Sequence, residues 1–554
     1  MKSIILMIGT FLATCNCFSQ TANYQWAKNI GSTNEEVTKN IATDPAGNVY
    51  VTGFFRSASI TIGTTTLVNN TNGSADMFIA KYDANGNELW AKSSGGNNYE
   101  EGTDVATDAS GNVYVTGYIS SATVSFDTIN LSNYYNGNHE MFVVKYNPSG
   151  NILWAKCAGR VAGGMGISTD ANGNIYVTGQ FGEDSMNIGS LTLYNQTYGN
   201  GDVFLIKYDA NGSEIWARSG DGGAGDFSND VSVDMSGNIF ITGYFSSPSF
   251  SLDTVTLINA SNSNDLFIAK YDSSGNIQWA RRASGSSNCI GESVATDNNG
   301  KSFVTGQYGG TSLTFGSLTI TNTAGSEGVV VAFDSSGNSL WLKGIAGGPS
   351  TSDVIGWSIA TDNAGNVYVG GAFYNPTLQF GSTALTNADA SGSTSDGFVL
   401  KYDGFGNEFW AIRFGNTSSE IRPEVEFDNM NNLFIGASYS STTLALGSLS
   451  LTNAGYYDAF VSKISSVTAV NENSSPNYEV NIYPNPFSGL FTLRTDFNSK
   501  YSVEIFNSLG QEAFRKENEN GNNFEIDLSD QPAGIFYISI FCNGKIYSQK
   551  VLKE

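Results

Sequence analysis

Residues 108–117 read DASGNVYVTG, and the same pattern begins, with small changes, at Asp44, Asp108, Asp170, Asp234, Asp297, Asp362 and Asp428. Alternating apolar residues about a Gly-Asn turn mark a β-hairpin, in which the Asp accepts backbone N–H bonds and the Gly takes a positive φ. A second series keeps step with the first: Trp26, Trp90, Trp154, Trp216, Trp279, Trp341 and Trp410. Both recur every 62 to 69 residues, so the chain carries a seven-unit array.

Each unit reads as β throughout. DVATDASGNVYVTGYI (104–119) gives two strands, VSFDTINLSN (124–133) a short hairpin, and EMFVVKYNPSGNILWAK (140–156) two more strands. Val, Ile, Tyr and Phe crowd these runs, and no 3.6-residue period is sustained. The unit is therefore four core strands with a hairpin inserted between the second and third. Sheets apolar on both faces must be covered on both faces, which radially stacked blades achieve. YQWAKNIG (24–31) has no strand before it, and DAFVSKI (458–464) has no Trp strand after it. The two fragments complement each other, so the fold class predicted is all-β, a seven-bladed propeller closed by N-terminal strand exchange.

A formal net charge of −24 excludes nucleic acid as a partner, because phosphate recognition needs clustered Lys and Arg. The N-terminus, MKSIILMIGTFLATCNCFSQ, has one basic residue and an apolar run from Ile4 to Ala13, too short to span a bilayer. It reads as a signal peptide over residues 1–19, cleaved at Ser19–Gln20. No transmembrane helix is expected. Cys157, Cys289 and Cys542 then remain, with neither a disulfide nor a zinc spacing.

TDxxGNVYVTG followed by FIAKYDxxGNxxWAK resembles the SBBP class of β-propeller repeats, over residues 22–464. That resemblance implies an extracellular propeller and no single activity. A polar linker (465–477) follows. NIYPNPFSGLFTL, VEIFNSLGQE, IDLSDQPAGIFYISI and KVLK then resemble a type A C-terminal sorting domain of the type IX secretion system, over 478–554. Tyr483, Pro484, Asn485, Pro486, Gly489, Gly510, Gly534, Lys550, Val551, Leu552 and Lys553 carry its motifs. The resemblance implies a small Ig-like β-sandwich, the outer-membrane secretion machinery as a partner, and a secreted or cell-surface product of a Bacteroidota-like cell. The predicted domains are thus signal peptide 1–19, propeller 20–464, linker 465–477 and sorting domain 478–554.

Chemistry is sparse by comparison. The repeated turn aspartates offer oxygens to a hard cation, but the motif lacks the further carboxylate of a calcium loop, and turn formation accounts for it. An acidic residue stands 14 positions before each Trp of the array: Asp76, Glu140, Asp202, Asp265, Glu327 and Asp396, with Asp458 in the split unit. Facing one another in a channel, these would favour a cation. Beginning the third strand, about 10 Å outward, they instead cap strand starts. His139 is the sole histidine and reads as a loop residue, so no catalytic residue, metal or cofactor is assigned. Variable loops follow Asn69, Asn133, Asn195, Asn259, Asn322, Asn387 and Asn453, and loops on a rigid scaffold commonly carry specificity. Trp357 occupies a position that is Lys39, Thr103, Met165, Asn229, Glu292 and Pro423 in the other units. It is read as opening the innermost strand near the channel mouth, placed to stack on a sugar. The function expected is non-catalytic binding or scaffolding of an extracellular glycan or protein. The alternative is a carbohydrate-active enzyme, a lyase or glycosidase, on the same scaffold.

Overall fold

The computed structural model describes residues 22–553, apart from 72, 134–136, 196–199, 260–262, 323–324, 347–352, 466–479, 496–499, 508–511, 520–522 and 543–544. The signal-peptide reading and almost all of the predicted linker fall outside the described residues. The chain forms two compact units, Met1–Thr468 and Ala469–Glu554.

Among the described residues the first unit contains seven four-stranded antiparallel arrays. Blade 1 is Glu36–Thr43, Val49–Phe55, Asp76–Tyr82 and Glu88–Ser94, from the inner strand outward. Blades 2 to 6 repeat this order, with inner strands Glu100–Thr107, Ala162–Thr169, Asp226–Val233, Cys289–Thr296 and Val354–Thr361. Blade 7 takes Glu420–Phe427, Leu433–Tyr439 and Asp458–Ile464 from the end of the array, and its fourth strand, Tyr24–Ile30, from the start. That fourth strand lies antiparallel to the third, with Asn29 opposite Phe460. A short hairpin follows the second strand of every blade, beginning with Ser59–Ile62 and Thr65–Val68 in blade 1.

One backbone bond recurs at all seven junctions. The first N–H of each inner strand donates to the carbonyl just before the third strand of the preceding blade. The pairs are Glu100 to Ala75 (2.8 Å), Ala162 to His139 (2.9 Å), Asp226 to Gly201 (2.7 Å), Cys289 to Asn264 (2.7 Å), Val354 to Ser326 (3.0 Å) and Glu420 to Ser395 (2.8 Å). The seventh, Glu36 to Tyr457 at 2.7 Å, joins blade 1 to blade 7 and closes the ring.

Both ends of the repeat motif now have a physical reason. Asp108 Oδ1 accepts the N–H groups of Ser110 and Asn112, and Oδ2 accepts Asn112 Nδ2 (2.7 Å) and the Tyr114 hydroxyl (2.8 Å). At Asp170 burial works against the charge, but the same amide, hydroxyl and N–H contacts hold its carboxyl below the usual range. The opening aspartate is a turn residue. The closing glycine, Gly117, faces a bulge in the inner strand, and a Cβ there would lie 1.9 Å from the Glu101 carbonyl oxygen. The Trp strand serves the next blade: Trp26 Nε1 donates to Ala84 O (3.0 Å), Trp90 to Pro148 O (3.1 Å) and Trp279 to Ser335 O (3.1 Å), in the outer turns of blades 1, 2 and 5.

The second unit pairs a three-stranded sheet (Val480–Tyr483, Leu490–Thr495, Asn523–Asp527) with a four-stranded one (Tyr501–Asn507, Glu512–Glu519, Gly534–Cys542, Lys545–Lys553). Phe491, Leu493 and Ile526 from one sheet and Val503, Ile505 and Ile538 from the other share its core. Among the described residues no helix is long and apolar enough to cross a membrane.

Candidate functional site

Each inner strand has its bulge at the fourth residue, where the ladder skips Lys39, Thr103, Met165, Asn229, Glu292 or Trp357. Trp357 therefore sits in mid-strand rather than opening it, because the Gly356–Ser358 irregularity pushes it out of the ladder. Blade 7 departs from the others. Its irregularity spans Ile421 to Glu424, Arg422 adopts a φ of 49°, and it is Arg422 rather than Pro423 that lines the channel mouth. The Arg422 guanidinium lies 4.7 Å over the Trp357 ring, so one face of that indole is already covered.

The mouth is crowded with charge. Lys39 Nζ meets Glu101 Oε1 at 2.6 Å, and Glu101 also accepts the hydroxyls of Tyr99 (2.6 Å) and Tyr118 (3.0 Å). Burial disfavours the Glu101 charge, but Lys39 and the two phenols outweigh it and hold the carboxyl below its ordinary value. Deeper carboxylates go the other way. Burial pushes Asp230 up to about 6 and Glu424 up to about 8. Asp104 is raised by burial and then by Asp230. These groups hold the ring together: Asp104 Oδ2 accepts Ile167 N–H at 2.6 Å, and Asp230 Oδ2 accepts Val294 N–H and Ser293 Oγ, each at 2.8 Å. Each bonds a backbone N–H of the following blade, beside the bulge.

The asymmetric feature lies one residue pair above the bulge. There the facing residues are Val37 and Phe54, Glu101 and Tyr118, Phe227 and Tyr244, Ile290 and Gln307, but in blade 3 they are Gly163 and Gln180. The missing side chain leaves a cavity of about 480 Å³ lined by Tyr118, His139, Met165, Gln180 and Phe227, with Val161 at its rim. Tyr118 stacks on Tyr99, and the His139 ring stands edge-on to Tyr118 at 4.5 Å. His139 Nδ1 lies 2.9 Å from Ser120 Oγ, and burial lowers its basicity. The far wall, Phe227, stacks on Tyr244 at 5.0 Å. Gln180 Oε1 is buried with no hydrogen-bond partner, a costly state for a polar atom unless a ligand or water supplies a donor. Val161 has a φ of 52°, a conformation rarely tolerated by a β-branched residue and one that clusters at binding sites. A groove of about 540 Å³ at Trp279 and Arg281 lacks such a signal, because Trp279 Nε1 and Arg281 Nε already bond Ser335 O and Gly337 O.

The acidic series occupies the first residue of every third strand, and each member is buried. Its members adjoin the inner strand of the following blade rather than one another. Asp76 accepts Asn70 N–H (2.9 Å), Asp458 accepts Ala454 N–H (2.9 Å), Asp265 pairs with Arg282 (3.0 Å), and Glu327 accepts the Tyr308 hydroxyl (2.7 Å). The asparagines that end the inserted hairpins have a local task. Asn69 Nδ2 bonds Phe55 O at 3.1 Å, and Asn387 bonds Phe373 O at the same distance.

In the second unit, distant motif segments meet. Leu552 N–H donates to Asn485 Oδ1 and Phe487 N–H to Leu552 O, both at 2.9 Å. Lys553 Nζ, on a buried residue, bonds Leu528 O (2.8 Å), Ser529 O (3.1 Å) and Gln531 O. A Cβ on Gly489 would lie 2.6 Å from Ser529 Oγ. The Tyr483–Pro484 and Asn485–Pro486 segment thus clasps the final strand, in which Lys550 and Val551 also lie. Gly534 starts the strand paired with it, and Gly510 lies outside the described residues. The secretion system C-terminal sorting domain family matches residues 481–554. Residues 481–554 are a type IX sorting domain.

A sorting domain of this kind marks a protein exported across the outer membrane, so the product is secreted or held at the cell surface. The β-propeller repeat family matches residues 25–53, which run from the strand of Trp26 through the first turn motif to Gly53. Over 464 residues the chain is 26% identical to a WD repeat-containing protein of Acanthamoeba polyphaga mimivirus, covering 70% of this chain and 33% of that one. Over 67 residues it is 34% identical to karilysin of Tannerella forsythia, covering 12% and 14% respectively. The chain thus spans a third or less of the length of these relatives. Sqt1 of Chaetomium thermophilum, a solved structure, aligns with 86% of this chain and 98% of its own at 9% identity and a TM-score of 0.35.

Proposed function

We propose that the propeller is a non-catalytic binding module presented outside the cell, and that its ligand is a neutral sugar ring seated in the blade 3 cavity. The observation that carries this reading is the orphaned Gln180 Oε1 inside an aromatic-walled hollow that only the Gly163–Gln180 pairing opens. A sugar presents an apolar face to Tyr118 or Phe227 and a hydroxyl donor to Gln180, which matches a site of apolar walls and few polar groups. The volume lies within the range of small-ligand pockets. The channel carboxylates do not favour catalysis, because Asp104 and Asp230 spend oxygens on backbone N–H groups.

The test is a glycan array followed by calorimetry on the best neutral oligosaccharide. Tyr118→Ala and Gln180→Ala are each expected to weaken binding about tenfold, the loss of one stacking face or one hydrogen bond to a buried acceptor. Binding that both variants leave unchanged would remove the site from this role. Release of cleaved sugar, abolished by Glu424→Gln, would replace binding with the carbohydrate-active reading.

A further inference from the structure

We propose that four blade junctions bind calcium, each between the carboxylate that opens a third strand and a second carboxylate that opens the next inner strand. The pairs are Asp458 with Glu36, Asp76 with Glu100, Asp202 with Asp226, and Asp396 with Glu420. The inter-blade backbone bond brings each pair together, since each second acid donates its own N–H to the carbonyl preceding the first. At the other three junctions the inner strand opens with Ala162, Cys289 or Val354, and no second acid is present.

The hydrogen bonds distinguish the two kinds of junction. Asp76 Oδ1, Asp396 Oδ1 and Asp458 Oδ1 are buried without a partner, and Asp202 is buried with the Gly222 N–H bearing on its carboxylate. All four residues are at most 1% exposed, and all four belong to two-acid junctions. At single-acid junctions Asp265 has Arg282 and Glu327 has Tyr308, and neither keeps a buried oxygen without a partner; at the two-acid junction of Asp396, Arg413 takes Oδ2 and still leaves Oδ1 orphaned. Buried oxygens without donors, beside a second carboxylate, ask for a cation rather than for solvent.

The local geometry is concave. A Cβ built on Gly415 would lie 2.4 Å from Asp396 Oδ1 and 2.5 Å from Glu420 Oε2, so the orphaned oxygen and one of its neighbour's converge on the same small space. At Gly31 and Gly95 a Cβ would lie 2.0 Å from a carboxylate atom of Asp458 and of Asp76, the first acid of each pair alone. Repulsion also appears in acidity. Burial and then Glu100 push Asp76 up to about 6, and burial followed by Asp221 and Asp226 pushes Asp202 up to about 8. Calcium fits better than magnesium because two carboxylates with irregular carbonyl or water ligands suit its flexible shell, whereas magnesium demands a near-ideal octahedron.

Equilibrium dialysis of the full chain against about 1 mM calcium, an affinity range typical of extracellular modules, tests the assignment. Four calcium ions per chain are expected, falling to three in Glu100→Gln and three in Glu420→Gln. Calcium is also expected to raise the wild-type melting temperature by several degrees over chelator, a ligand effect that magnesium reproduces weakly. Wild-type protein that binds no calcium and melts identically with and without it would overturn the proposal. Gln variants that melt higher than wild type in chelator, with no calcium bound to either, would identify the pairs as shared-proton sites instead. Four ions retained in both variants would place calcium elsewhere and equally overturn it.

Discussion

Deleting Tyr24–Ile30 is expected to lower the melting temperature of the propeller by on the order of 10 °C and to drive aggregation. Trp26 is 8% exposed and Ile30 is fully buried, and both pack with Phe434, Ala459 and Val461 from the opposite end of the array. Burying the indole is worth about 5 kcal/mol as an upper bound, and the isoleucine about 2 kcal/mol more. The same strand carries Asn29, whose amide bonds Asp458 (2.7 Å) and accepts the Tyr439 hydroxyl (2.9 Å), and Trp26, which reaches Ala84 in blade 1. Its loss strips the ladder from Asp458–Ile464, leaving an exposed apolar edge of the kind that recruits other chains. Scanning calorimetry with light scattering checks both parts, and an unchanged melt contradicts the closure.

Removing residues 550–554 is expected to abolish surface display and leave the protein in the periplasm. The final strand, Lys545–Lys553, is an edge strand of its sheet, laddered to Gly534–Cys542 and bridged at Lys553 to Phe487. Its end is held by the Asn485 and Phe487 contacts and by the Lys553 ammonium inside a cage of three carbonyls. The truncation removes that ammonium and leaves Leu528 O, Ser529 O and Gln531 O without their donor, so the clasp between the two ends of the domain is lost. Cell fractionation with protease shaving reads the outcome. Normal display of the truncated chain would contradict the reading of these residues as the export signal. Melting of the propeller is expected to stay the same, because the removed residues belong to the second unit.

The wheel was legible because its information is periodic. Asp108 and Trp154 recur every 62 to 69 residues in all seven units and Gly117 in the first six, with Ala437 in the seventh, and each does one mechanical job per blade, so repetition alone exposes them. The complementary fragments YQWAKNIG and DAFVSKI made closure legible too, since neither forms a complete outer hairpin. What escaped the sequence was whatever depends on contact between blades. The acids that open third strands were visible as a series, but their partners Glu36, Glu100, Asp226 and Glu420 lie across a junction, and only three-dimensional register pairs them. Trp357 looked free because Arg422 comes from another blade and reaches it through a positive-φ kink that no motif announces. The blade 3 cavity does leave a trace in the sequence. Aligning the second residue of each inner strand with its ladder partner isolates Gly163 and Gln180 as the pair without an aromatic or bulky aliphatic side chain.

Amide hydrogen exchange on the mature protein tests the closed ring most directly. Residues 24–30 are predicted to be protected to the same degree as residues 458–464, because the two strands share one ladder and open only together. Complete exchange of 24–30 within seconds, while 458–464 stays protected, would contradict the account.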